Sequence, residues 1–184
     1  MSPANHVAVR PARAEEYEAI AALTVAAYAE YQPLLTAEQW DEYRSDLADI
    51  AGRAQRGTVF VAEDAGGALS GVVTYYRHVA DGPDGPRGDW WWWPADYGYI
   101  RALAVDPAAR GRGVGRALME ACFSEARATG AAGVALNTTP AMSAAKSLYE
   151  RLGFRMLPPA EGHLDYGGFH FFSYVLDLSI IPPA

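Results

Sequence analysis

Residues 103–118 run an apolar strand (Leu103, Ala104, Val105) into the basic, glycine-rich turn Asp106-Pro107-Ala108-Ala109-Arg110-Gly111-Arg112-Gly113-Val114-Gly115. That turn opens straight into an amphipathic helix beginning Arg116-Ala117-Leu118. Glycines at a helix entrance let the backbone approach a ligand closely. The first amides of a helix have no partner inside it and carry a partial positive charge. Such a place binds phosphate or pyrophosphate, so the chain is expected to hold a phosphorylated cofactor.

Three strand–turn–helix motifs compete for this stretch. A nucleotide-hydrolysing P-loop needs Lys and then Ser or Thr after its last glycine. Gly115 is followed by Arg116 and Ala117, so that motif is absent. A dinucleotide fingerprint starting at Gly111 and Gly113 would place its third glycine on Arg116. It would also want an acidic residue roughly 20 residues on, where Val134-Ala135-Leu136-Asn137 stand. The third pattern is Arg or Gln, two residues, Gly, one residue, then Gly or Ala. Arg110-x-x-Gly113-x-Gly115 fits it without a gap. About thirty residues on lies Ala145-Lys146-Ser147-Leu148-Tyr149-Glu150-Arg151-Leu152-Gly153-Phe154, which fits A-x-x-L-Y-x-x-x-G-F.

Together these two segments resemble the GNAT superfamily of acetyl-CoA-dependent N-acetyltransferases, most closely over residues 97–156. The resemblance implies one α/β (α+β) domain over residues 1–184, with 180–184 as a short tail. Its central sheet would be mixed and mostly antiparallel, with helices on both faces. The fourth and fifth strands would run parallel and splay to admit the pantetheine arm of acetyl-CoA. Arg110, Gly111, Arg112, Gly113, Val114, Gly115 and Arg116 would cradle the pyrophosphate. Leu103, Ala104 and Val105 would offer backbone groups to the pantetheine amides. Asn137 ends the other wall, as a pantetheine or acetyl contact or equally as a strand-end cap. Ala145 and Tyr149 carry the second motif, and Tyr149 matches the tyrosine that faces the coenzyme sulfur.

Acetyl transfer from a thioester to an amine needs an unprotonated amine and a proton for the leaving sulfur. Lysine-like amines have pKa values near 10.4 and thiols near 8.5, so the amine needs help at neutral pH while the thiolate leaves readily. The resemblance implies direct attack in a ternary complex, with Tyr149 as proton donor. Cys122, on the expected core face of its helix, reads as structural. Two positions depart from the family. Met142 stands where the family often has a pantetheine-contacting Asn, a contact that passes to Ser143 or is lost. Tyr99 stands where histone-type members place a catalytic glutamate, and tyrosine is a poor base at neutral pH. Proton removal through water to Asp96, Tyr97, Glu30, His163 or His170 is the alternative.

Composition narrows the partners. The chain has 184 residues, a typical size for one domain, and 51% apolar against 20% charged residues fits a globular protein. Net charge is −7, from 15 Lys+Arg against 22 Asp+Glu, which argues against nucleic acid and suits a cationic amine acceptor, small molecule or peptide. No apolar run approaches the roughly 20 residues of a membrane span, and no signal-peptide pattern opens the chain, so a cytoplasmic location is expected. The single cysteine excludes an internal disulfide and a multi-cysteine metal cluster, and no metal is expected. Trp90 to Trp93 cannot all face one core, since neighbouring strand residues alternate. They read either as an aromatic lid for the acceptor or as a packing or homodimer patch. Two rivals to the enzyme remain: a non-catalytic acyl-CoA-binding module, and an acyltransferase with another acyl donor or an oxygen acceptor.

The elements that must position these residues follow from periodicity and breakers. Strands are predicted over residues 7–10, 59–62, 69–76, 97–105, 133–137, 154–157 and 169–178. Helices are predicted over 14–31, from Thr36 (a capping box with Gln39) to Gln55, over 113–129 with Val114, Leu118, Ala121 and Cys122 inward, and over 141–152. Asp64-Ala65-Gly66-Gly67 reads as a hairpin turn, Gly130 and Gly153 as helix stops, and 78–95 as a loop.

Overall fold

A computed structural model describes residues 7–78, 81, 93–158, 163–166 and 169–180. In chain order the elements are β1 (Ala8–Pro11), α1 (Tyr17–Tyr28), α2 (Ala37–Ala48), α3 (Ile50–Arg56), β2 (Thr58–Glu63), β3 (Leu69–Tyr76) and β4 (Tyr97–Val105). Then come α4 (Val114–Ala128), β5 (Gly133–Thr138), α5 (Ser143–Arg151), β6 (Arg155–Met156), β7 (His163–Tyr166) and β8 (Phe169–Asp177). The strand order is β1-β2-β3-β4-β5-β8-β6, with β7 on β8. The pairs β1–β2, β5–β8, β6–β8 and β7–β8 are antiparallel, and β4–β5 is parallel, which is the mixed sheet expected.

The described residues fall into two compact units, one within Met1–Thr74 and Ala102–Cys122, the other within Tyr75–Arg101 and Phe123–Ala184. In the first, Ile20 and Ala27 of α1 and Ile50 of α3 pack on Val59, Val61, Val72 and Ala104 of the strands. In the second, Tyr76, Trp93, Tyr99, Ala135, Leu157 and Val175 form a core rich in aromatic rings.

Local chemistry explains the boundaries. The Thr36 hydroxyl accepts from the Gln39 amide (3.2 Å) while the Gln39 side chain accepts from the Thr36 amide (2.9 Å), closing the capping box. The helix expected to continue to Gln55 instead breaks at Asp49, whose backbone leaves the helical region (ψ 66°). Its carboxylate accepts from the Gly52 amide (2.9 Å) and starts α3. The buried Arg53 guanidinium donates to the carbonyls of Leu47 and Asp49, satisfying the end of α2. Leu178–Ile180 forms a 3₁₀ turn after β8. The closing strand expected over 154–157 shortens to Arg155–Met156, and the backbone of 163–166 forms β7, a strand not among those predicted. On α4 the inward face holds Val114, Leu118, Met119, Cys122, Phe123 and Ala126, with Ala121 only half-buried.

Arg10 on β1 bridges Glu16 and Glu63, both at 2.5 Å. The bond to Arg10, with the Arg13 amide adding to it, holds the Glu16 carboxyl at about 2 against an ordinary 4.5. A depressed carboxyl stabilises the fold above its unfolded pKa and loses that contribution as pH falls through the folded one. Glu16→Gln is therefore expected to lower the melting temperature at neutral pH by about 2–4 °C. The gap to wild type should close as pH falls from 4.5 toward 2. A gap that stays constant across thermal melts in that window would contradict this origin.

Candidate functional site

The glycine turn is built on a short, tied connection. Asp106 donates its amide to the Ser70 carbonyl (3.0 Å) and accepts from the Ala108 amide (2.8 Å), which sets the 3₁₀ turn Pro107–Ala109. Gly111 (φ 75°) and Gly113 (φ 86°) then take left-handed backbone that side chains with a Cβ rarely adopt. Neither has any atom within 4 Å of where a Cβ would stand. The first intrahelical bond of α4 runs from the Ala117 amide to the Gly113 carbonyl (3.0 Å). Among the described residues, no acceptor takes a hydrogen bond from the amides of Gly111 to Arg116. An open, exposed bend of unbonded amides at a 15-residue helix start fits a diphosphate.

Gly71 on β3 allows the helix to begin where it does. A Cβ there would meet Val114 Cγ1 at 2.8 Å, Leu118 Cδ1 at 2.9 Å and the Ala104 carbonyl at 3.0 Å. Gly71→Val is expected to cost about 1–3 kcal/mol by overpacking, read as a lower urea midpoint at unchanged slope. A midpoint equal to wild type would show that the first turn of α4 is not seated on Gly71.

The arginines of the turn differ. Arg110 Nη2 donates to Glu30 Oε1 (2.7 Å) and to the Ala27 carbonyl (3.2 Å). Arg116 pairs with Glu120 one helical turn on (2.8 Å), and Arg112 is exposed. On β4, Ala104 is core, Leu103 and Val105 are half-buried, and the Leu103 carbonyl accepts from the Tyr28 hydroxyl (3.1 Å). The β4–β5 ladder runs from Tyr97↔Gly133 to Ile100↔Leu136 and stops there. Two residues later Ala102 holds a left-handed φ of 54°, a strained position for a non-glycine.

In the other unit, β5 continues through Asn137 and Thr138 in register with Ser173 and Phe172 of β8. The Asn137 Oδ1 accepts from the Ser173 hydroxyl at 2.8 Å. Tyr149 is 6% exposed on α5, its ring 5.7 Å from Phe154 and 6.3 Å from Tyr174. Ala145 lies half-buried one turn before it on the same helix face. Met142 is the N-cap residue of α5 and makes no side-chain cap bond, and Ser143 is exposed at its first position.

The base candidates sit in contrasting surroundings. Tyr99 is 3% exposed, stacked on Tyr76 (5.8 Å) and against Trp93 (5.1 Å). Asp96 is exposed in the turn before β4, and its carbonyl accepts from the Ala132 amide (3.0 Å). Burial, then Asp177, then Asp96 push the half-buried Tyr97 phenol up. Glu30 is engaged by Arg110, and exposed His170 meets Phe172 edge-on (5.1 Å). The His163 side chain and Trp90 to Trp92 lie outside the described residues, whereas Trp93 is buried. Among the described residues no group of three or more His, Cys, Asp or Glu is placed to hold a metal ion, and no helix is long and apolar enough to cross a membrane.

The pattern of the Acetyltransferase (GNAT) family matches residues 17–154, and the chain belongs to that family. A mycothiol acetyltransferase from Propionibacterium freudenreichii subsp. shermanii is 30% identical over 154 residues, which cover 82% of this chain and 44% of that protein. One from Thermobispora bispora is 38% identical over 95 residues, 52% of this chain and 29% of that protein. The chain thus spans less than half the length of these relatives. Among solved structures, the histone acetyltransferase HPA2 and related acetyltransferase from Corynebacterium glutamicum aligns over 97% of both chains at TM-score 0.68 and 23% identity. The acetyltransferase yncA from Salmonella typhimurium, solved with its cofactor acetyl-CoA, aligns over 98% of this chain and 99% of its own at TM-score 0.64 and 20% identity. These structures share the mixed α/β fold.

Proposed function

We propose that the chain is an acetyl-CoA-dependent N-acetyltransferase acting on the primary amine of a small molecule or peptide. The observation that carries this is the run of amides from Gly111 to Arg116, which meet no acceptor among the described residues and are bent by two left-handed glycines at the start of α4. Bound acetyl-CoA supplies an activated acetyl thioester. The amides of the turn grip its diphosphate through charge-assisted bonds, with the exposed heads of Arg112 and Arg116 adding charge. Leu103 and Val105 present backbone groups to the pantetheine arm, and Asn137 and Ala145 line its course. Tyr149 holds the proton that passes to the leaving sulfur. The incoming amine loses its proton through water to one of Asp96, Tyr97, Glu30, His163 and His170, while Tyr99 packs between Tyr76 and Trp93.

Retention of Tyr149 favours catalysis over a binding-only module. Thiol release from acetyl-CoA, measured across a panel of amines that includes the acceptor of mycothiol acetyltransferases, tests the reading. The expected result is release above background hydrolysis with at least one amine. Binding of acetyl-CoA with no release for any amine, while a hydroxyl acceptor or a longer acyl donor does react, would overturn it in favour of a different transfer.

A further inference from the structure

We propose that Glu30 is a positioning residue that anchors the phosphate-binding turn through Arg110, so that Arg110 grips the protein and the turn's amides grip the ligand. The inference rests on the donor site proposed above. Arg110 is the first residue of the turn, yet its guanidinium points back to the end of α1, where it reaches Glu30 Oε1 (2.7 Å) and the Ala27 carbonyl (3.2 Å). One turn of chain therefore holds the turn by two bonds. The same stretch also holds the strand leading into it, because the Tyr28 hydroxyl donates to the Leu103 carbonyl (3.1 Å). Tyr31 faces Glu30 as well: its phenol is pushed up by burial and then by the carboxylate beside it.

The need for an anchor follows from the backbone. Gly111 and Gly113 are the residue type that loses most conformational freedom on ordering, and no atom lies within 4 Å of either Cβ position to hold them by packing. A turn ordered before the ligand arrives binds more tightly than one ordered by it. A carboxylate is also an unexpected neighbour for a diphosphate site unless it serves the scaffold, since its own charge opposes the anion.

That opposition makes the sign of one substitution decisive. Glu30 is 46% exposed, and Glu30→Gln keeps its shape and an acceptor, so the variant should fold. If Arg110 were itself a phosphate ligand, removing the competing negative charge would tighten coenzyme A binding. As an anchor, Arg110 loses its charged partner, and the dissociation constant should rise about threefold to fivefold, the size of a partly exposed ion pair. In the ligand-free variant the Ala117 amide, which is bonded to the Gly113 carbonyl (3.0 Å), should exchange with deuterium faster by a similar factor, while the melting temperature shifts by less than about 2 °C. In Arg110→Met the slope of log affinity against log salt should match wild type, because no phosphate contact is lost. The experiment is calorimetric titration of coenzyme A into wild type, Glu30→Gln and Arg110→Met, with exchange measured on the free proteins. Equal or tighter binding by Glu30→Gln, or a shallower salt slope in Arg110→Met, overturns the anchor alone. Absence of binding by folded wild type overturns the donor site and the anchor together.

Discussion

Replacing Gly113 with valine is expected to weaken coenzyme A binding about a hundredfold. The residue sits at φ 86°, where a β-branched side chain is strained. Left-handed backbone costs an ordinary residue roughly 1–2 kcal/mol, and relaxing it swings the neighbouring amides away from the ligand. Each hydrogen bond to a charged group is worth about 1.5–3 kcal/mol. Strain and one lost bond give about 3 kcal/mol, and each 1.4 kcal/mol is a factor of ten in affinity. The new side chain meets no atom within 4 Å at its Cβ, so the damage is to backbone geometry and not to packing. Isothermal titration of the folded variant reads the effect, and an affinity within about threefold of wild type would show that the turn is not the diphosphate site.

Tyr149→Phe carries the second large effect, on turnover. Phenylalanine keeps the ring against Phe154 and Tyr174 and removes only the hydroxyl. Loss of a positioned proton donor lowers rate by about a hundredfold, the lower end for general acid catalysis because a thiolate leaves readily. Donor affinity should change by less than about threefold, since no phosphate contact is touched. Steady-state kinetics with a reactive amine, set beside coenzyme A binding, separates the two quantities. Unchanged turnover would remove Tyr149 from proton transfer and leave it as a packed aromatic.

The parts of the molecule legible in its sequence are those written in local spacing. Gly111 and Gly113 announced a bent backbone, and the 3.6-residue rhythm from Val114 to Cys122 announced the helix behind it. The reciprocal pair Thr36 and Gln39 marked a helix start to the residue. Local spacing misled at Asp49, where side-chain bonds from Asp49 and Arg53 compete with a helix that the residue types alone would allow. The strand His163–Tyr166 was missed because it is four residues long and owes its conformation to pairing with β8.

Contacts between distant segments left no mark on any short window. Glu30 and Arg110 are 80 positions apart, and Tyr28 and Leu103 are 75 apart. Each residue was visible, and Glu30 was even a base candidate, but its commitment to Arg110 emerges only once α1 is folded against the turn. Tyr99 shows the same limit in reverse. Its position suggested a proton-transfer role, whereas Trp93 and Tyr76 enclose it in a core that alternation along β4 alone does not reveal.

The proposed function stands on the amides of residues 111–116, which meet no acceptor among the described residues, holding a diphosphate. Calorimetric titration of the folded wild-type protein with coenzyme A, repeated with a pantetheine lacking the diphosphate, tests it most directly. Saturable one-to-one uptake of coenzyme A, lost or greatly weakened with the truncated ligand, is the predicted result. No uptake of coenzyme A, or equal uptake of both ligands, would contradict it.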